Sequence, residues 1–126
     1  MNKRERLKIA AAIHRDGICI GGDHEPHECA LTYSVGRYER GWPELAVWTV
    51  TEEEQRHADS LLLATARQPV RPGDQIQLPG NGSTWVAVPE EPGLPPDHRL
   101  LLEDAEEYYG RQVPALILLP GEQYAP

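Results

Sequence analysis

The chain has 126 residues, 40% of them hydrophobic and 25% charged, the proportions of a globular protein with enough length for one real core. Twelve basic against twenty acidic residues leave a formal charge of −8, which argues against nucleic acid and anionic membrane as partners, because phosphate contacts need clustered positive charge. No apolar run reaches the roughly 18 to 20 residues of a membrane span, and the opening MNKRERLKIAAAI lacks the apolar core of a secretory signal, so an acidic, cytoplasmic monomer or small homo-oligomer is expected.

In chain order, Asn2 to Asp16 reads as a helix ended by Gly17. Leu7, Ala10, Ala11 and His14 recur at helical spacing, and Ile9 and Ile13 widen the apolar arc. Lys3, Arg4 and Arg6 crowd the first turns, where they oppose the helix dipole; a solvated end facing acidic surface is the reading preferred over a phosphate site. Ile18 to Ile20 is a short strand closed by Gly21 and Gly22. The loop Asp23 to Cys29 then gathers His24, His27, Cys29 and three carboxylates, a composition suited to a transition metal. Its spacing matches no zinc-finger or metzincin pattern and no second half follows, so no metal and no cofactor is assigned. Cys19 and Cys29 are the only cysteines; in a reducing compartment they are free thiols, although paired strands around the loop would bring them within disulfide reach.

Ala30 to Gly36 and Glu44 to Val50 form the strongest local signal, two strands of β-branched and aromatic residues. Gly41 and Pro43 suit the loop between them, and an antiparallel pair is expected. Leu31, Tyr33 and Val35 point to one face of the first strand, and the small Thr32, Ser34 and Gly36 to the other. A bare face of this kind admits a packed helix or a ligand, the helix being the commoner solution. The second strand carries apolar groups on both faces and so reads as central.

Thr51 to Glu54 is a capping box opening a helix whose buried stripe is Ala58, Leu61, Leu62 and Thr65, stopped by Pro69. His57 lies beside that stripe and reads as partly packed or solvent-facing. Val70 to Pro89 reads as a β-hairpin turning at Gly80-Asn81-Gly82. Glu90 to Pro96 is a proline-rich connector, Asp97 an N-cap for a third helix with Leu101, Ala105 and Tyr108 on one face, and Gly110 its stop. Pro114 to Pro120 has no polar alternation, as an interior strand requires. The order is α-β-β-β-α-β-β-α-β: an α+β fold, a mostly antiparallel sheet of about six strands with three helices packed on it. It is read as a single domain over 1–126, with an N-terminal helix at 1–16, a core at 17–120 and a loose tail at 121–126.

Tyr33-Ser-Val-Gly36, a short loop, Gly41-Trp-Pro-Glu-Leu45 with Val47 beyond, and then a capped helix together resemble the bacterial and bacteriophage family catalogued as domain of unknown function 4262. Asp16-Gly17, Pro72-Gly73-Asp74, Tyr108-Tyr109-Gly110 and the strand Pro114 to Pro120 fall in the same order, so the resemblance spans roughly residues 5 to 120. Members often read Gly-His-Pro-Glu-Leu where this chain has Trp42, and their final strand tends to contain Gln and Trp where this one is aliphatic. The resemblance implies a fold and no particular activity.

For function, the favoured expectation is a non-catalytic module that binds an unidentified protein or small ligand beside the central hairpin through Tyr33, Ser34, Gly36, Arg37, Tyr38, Trp42 and Glu44, since Arg and aromatic side chains make good anchors. The alternative is a small enzyme, with Tyr33, Ser34 and Glu44 converging on a histidine or with a metal held by the His24/His27/Cys29 loop. No nucleophile elbow, phosphate loop or dinucleotide fingerprint supports the enzyme. An accessory protein that sequesters a host factor on acidic surface is a third reading.

Overall fold

A computed structural model of the chain describes residues 1–22, 30–78, 80, 82–89 and 102–121. Its elements in order are α1 (Lys3–Asp16), β1 (Cys19–Gly22), β2 (Ala30–Val35), a 3-10 turn (Tyr38–Arg40), β3 (Glu44–Thr49), α2 (Glu52–Ala64), β4 (Gln75–Gln77), β5 (Thr84–Pro89), α3 (Glu103–Tyr109) and β6 (Ala115–Pro120). The six strands make one sheet in the order β1-β2-β3-β6-β5-β4. Neighbours are antiparallel except β3 and β6, which run parallel. The expected α+β fold and its element order are therefore present, with one parallel pair in the middle.

That pair follows from composition. The meander β1-β2-β3 ends at β3 and the hairpin β4-β5 presents β5, and β6 fills the gap between them. A strand in that place is covered on both faces, so the aliphatic run from Ala115 to Leu119 has no polar position. Leu116 and Leu118 enter one core with Leu45, Val47 and Ala87, beneath Ala58, Leu61 and Leu62 of α2. Leu31, Tyr33, Val35, Ala46 and Ala115 enter a second core on the other face with Ile9 of α1 and Leu102 and Ala105 beside and within α3. The sheet is thus sandwiched, α2 against α1 and α3.

The small-residue face of β2 is covered by a helix. Gln55 of α2 accepts a hydrogen bond through Oε1 from Thr32 Oγ1 at 2.9 Å and one from Thr49 Oγ1 at 3.2 Å. α2 starts at Thr51 as expected, with Thr51 Oγ1 accepting the Glu54 N–H at 3.1 Å, but the reciprocal half of the capping box is not formed, since the Glu54 carboxylate does not take the Thr51 N–H. Asn2 caps α1 in the same way, accepting the Glu5 N–H at 2.8 Å.

Several readings need correction or fall outside the described residues. The stripe Leu7, Ala10, Ala11 and His14 is exposed, Leu7 at 61%, and α1 buries Ile9 instead. The packing of Ile9 and Ile13 into the core sets that orientation, and Arg6 accompanies it by donating to the carbonyls of Glu107 at 3.0 Å and Tyr108 at 2.9 Å, at the end of α3. This contact compensates the α3 dipole at the surface, next to the face on which Ile9 and Ile13 pack into the core. The pair Gly21-Gly22 lies inside β1 rather than after it, opposite Tyr33 and Thr32. A β-carbon at Gly21 would stand 2.8 Å from the Tyr33 ring, which is why a glycine sits there. The third helix starts at Glu103 with Leu102 at its cap position, so Asp97 is not its N-cap. The loop Asp23 to Cys29, the connector Glu90 to Pro96, Asp97 itself and the tail from Glu122 lie outside the described residues. No helix of the described residues is long and apolar enough to cross a membrane.

Candidate functional site

At the end of β2 the chain turns through Gly36 at φ 132 and returns through the 3-10 turn and Gly41 at φ 79. The space at Gly36 is closed: a β-carbon would lie 2.9 Å from Ile13 Cγ1 and 3.2 Å from the Gly17 carbonyl oxygen. This tight path aims three successive amides inward, a nest of the kind that holds anions. The nest is already filled. Glu44, first residue of β3, accepts Gly36 N–H (3.1 Å) and Tyr38 N–H (3.0 Å) on Oε2, and Arg37 N–H (3.1 Å) and the Ser34 hydroxyl (2.8 Å) on Oε1. Ser34 Oγ in turn accepts the Leu45 N–H at 2.9 Å, replacing a ladder bond where the β2–β3 pairing stops at Tyr33 opposite Ala46.

Arg37 is fully buried beside this carboxylate. Its Nε donates to the Pro43 carbonyl at 3.0 Å and Nη1 to the Thr65 carbonyl at 2.6 Å, while Nη2 is buried without a partner among the described residues. Arg40 donates to the Ala66 carbonyl at 2.7 Å, and both guanidinium groups lie over Trp42, 5.1 and 5.6 Å from its ring centroid. Two cations thereby cap the negative end of α2. Burial lowers the Arg37 guanidinium to about 10, with the Glu44 charge acting the other way. Burial pushes the Glu44 carboxyl up, against the pull of its four donors.

Tyr33 belongs to the opposite face, where its hydroxyl accepts the Asp104 N–H at 2.9 Å and so ties α3 to the sheet. Burial holds this phenol above its ordinary range. Tyr38 is half-buried with its ring edge-on to Tyr109, centroids 4.9 Å apart. Of the seven hairpin candidates, then, Ser34, Gly36, Arg37 and Glu44 meet in one buried junction, Trp42 and Tyr38 flank it half-buried, and Tyr33 lies across the sheet. Their donors and acceptors are spent mainly on one another and on the carbonyls that end α2.

An open cleft of about 470 Å³ lies at the other end of β3. Val47 and Trp48 of β3 and Leu118, Leu119 and Pro120 of β6 contribute the C-terminal ends of the two parallel strands, and β5 adds Trp85, paired with Pro120. Because α2 begins directly after β3, its first two turns overhang the cleft and supply Glu54 and His57 at i and i+3. The Glu54 carboxylate and the His57 imidazole have no hydrogen-bond or ion-pair partner among the described residues. The Trp85 indole is half-buried, and its Nε1 donates to Ser83 Oγ at 3.2 Å.

None of the seven hairpin candidates lines this cleft. Glu54 was legible only as a capping residue and His57 only as a neighbour of the apolar stripe. The signal that links them is their i, i+3 spacing on a helix whose start is known, but the strand beneath that turn cannot be read from spacing.

No group of three His, Cys, Asp or Glu side chains is placed to hold a metal ion among the described residues, and the His24/His27/Cys29 loop lies outside them. Cys19 is a free, half-buried thiol. Comparison of the chain with protein-family models, with curated proteins and with solved structures returned no match.

Proposed function

We propose that the protein is a non-catalytic module that binds a small ligand in the cleft beside the central hairpin, with the Glu44 junction as the rigid support at the hairpin's other end. The observation that carries this reading is the pairing of two unspent polar groups, Glu54 and His57, with apolar walls from Val47, Trp85 and Leu118. Ligand sites have this composition: a largely apolar concavity with a few convergent polar groups. Its volume falls within the roughly 300–1,000 Å³ of such sites.

The hairpin enzyme receives less support. The Ser34 hydroxyl donates to Glu44 and accepts from Leu45, so a nucleophilic role would require breaking the junction first. In the same reading the chain is a cytoplasmic member of the family its motifs resemble. The bonds from Ser34 and Gly36 to Glu44 give a physical reason for the two halves of that motif to occur together.

The test is a fragment screen on the full chain followed by amide chemical-shift mapping. Perturbations confined to Val47, Glu54, His57, Trp85 and Leu118 are expected. Perturbations centred on Tyr38 and Trp42, or an absence of any binding fragment, would count against the cleft.

A further inference from the structure

We infer that the ligand of this cleft is a small amphipathic cation, an apolar or aromatic body carrying a protonated amine. The inference rests on the binding reading above and adds the chemical class. Val47, Leu118 and Trp85 offer the apolar wall that would cover the body. The Glu54 carboxylate, without a partner among the described residues, stands on the same cleft as the counter-charge.

Charge selects the sign. The first turn of α2 carries Glu52, Glu53 and Glu54, and neither Lys nor Arg lines the cleft. A helix start ordinarily attracts anions through its free N–H groups and dipole. Here one of those N–H groups is bonded to Thr51 and three carboxylates surround the end, so an anionic ligand meets repulsion instead. The formal charge of −8 raises the local concentration of cations around the whole molecule. Trp85 adds a second attraction, since the face of an indole is the best cation–π partner among side chains. His57, one turn from Glu54, is placed to hydrogen-bond a second polar group on the ligand.

A matched series decides it: phenethylamine, 2-phenylethanol and 3-phenylpropionate titrated into the full chain, with binding located by chemical-shift mapping. The amine is expected to bind at least about tenfold more tightly than the alcohol or the acid, a typical contribution of one charge-assisted contact. The preference should shrink at high salt and vanish in Glu54→Gln, which keeps the backbone N–H used by the Thr51 cap. If the alcohol or the acid binds the cleft as well as the amine does, the cleft stands as a site and the cationic class is wrong. If none of the three perturbs the cleft residues, both the class and the binding reading fall. Trp85→Ala is the second variant: it should weaken all three probes, while Glu54→Gln removes the amine's advantage alone.

Discussion

Ser34 and Glu44, on neighbouring strands, are joined by a 2.8 Å hydrogen bond in the protein interior, and the same serine oxygen takes the Leu45 N–H at 2.9 Å. One hydroxyl therefore serves as donor to a buried carboxylate and as substitute for a missing rung of the sheet. Replacing it leaves a backbone N–H with nothing to bond. Ser34→Ala is expected to cost about 2 kcal/mol in urea unfolding, the usual penalty for an orphaned buried donor. A cost near zero would mean the strands re-pair at Leu45.

Glu44→Gln puts an amide NH₂ where one of two accepting oxygens faces N–H or O–H donors, and should cost about 3 kcal/mol near neutral pH. The pH dependence has a defined sign. Burial raises the Glu44 carboxyl above its usual 4.5, so the folded chain holds this proton more tightly than the unfolded one. Its contribution is fully present below 4.5 and is lost as pH rises through the folded value. The stability gap between wild type and Glu44→Gln should accordingly narrow from pH 4 upward. A gap that widens instead would show that the four donors outweigh burial.

Arg37→Lys should be damaging although it keeps the buried positive charge. The guanidinium spans the Pro43 and Thr65 carbonyls and stacks near Trp42, and an ammonium cannot reach both acceptors from one position. A loss of about 2 kcal/mol is expected. Urea unfolding followed by tryptophan fluorescence should report it, and an unchanged midpoint would contradict the clamp.

Gly36→Ala tests the turn itself. The residue sits at φ 132, which L side chains rarely adopt, and its β-carbon would press on Ile13. About 3 kcal/mol of destabilisation is expected. Ile13→Ala in the same chain should recover little, because the backbone strain persists.

Cys19 should react slowly with thiol reagents. Its pKa is raised above the ordinary 9.0, first by burial and then by the Asp104 charge, so less thiolate is present at any given pH. In a Cys29→Ser background, the alkylation rate should reach its plateau at higher pH than that of a free cysteine peptide. Asp104→Asn should shift the curve down. A half-maximal rate at or below pH 9.0 would contradict this placement.

Much of the fold was legible because its signals are local. Thr51 and Glu54 announce a helix start within one turn, Gly80 and Gly82 supply the positive φ values of 97 and 70 that end β4, and Gly110 stops α3 at φ 73. The prolines around 114 to 120 bound a strand whose unbroken aliphatic run demands cover on both faces. The interior place of the hairpin followed from apolar residues on both faces of Glu44 to Val50. The exposed side of α1 did not follow, since the rotation of that helix depends on Ile9 and Ile13 packing against strands and α3, and on Arg6 reaching carbonyls about a hundred residues away.

The amino-acid order alone thus determined the kinds and succession of elements, because caps, turns and hydrophobic periods act over a few residues. It also brought the hairpin residues to notice, but as a surface for something else. Only the tertiary structure decided that Glu44 satisfies the nest its own loop creates, and that β6 enters between β3 and β5 so that their ends, with the first turns of α2, enclose a cleft. Both outcomes depend on which distant segments become neighbours. That choice is made by shared burial across the whole sheet, and no short stretch of chain contains it.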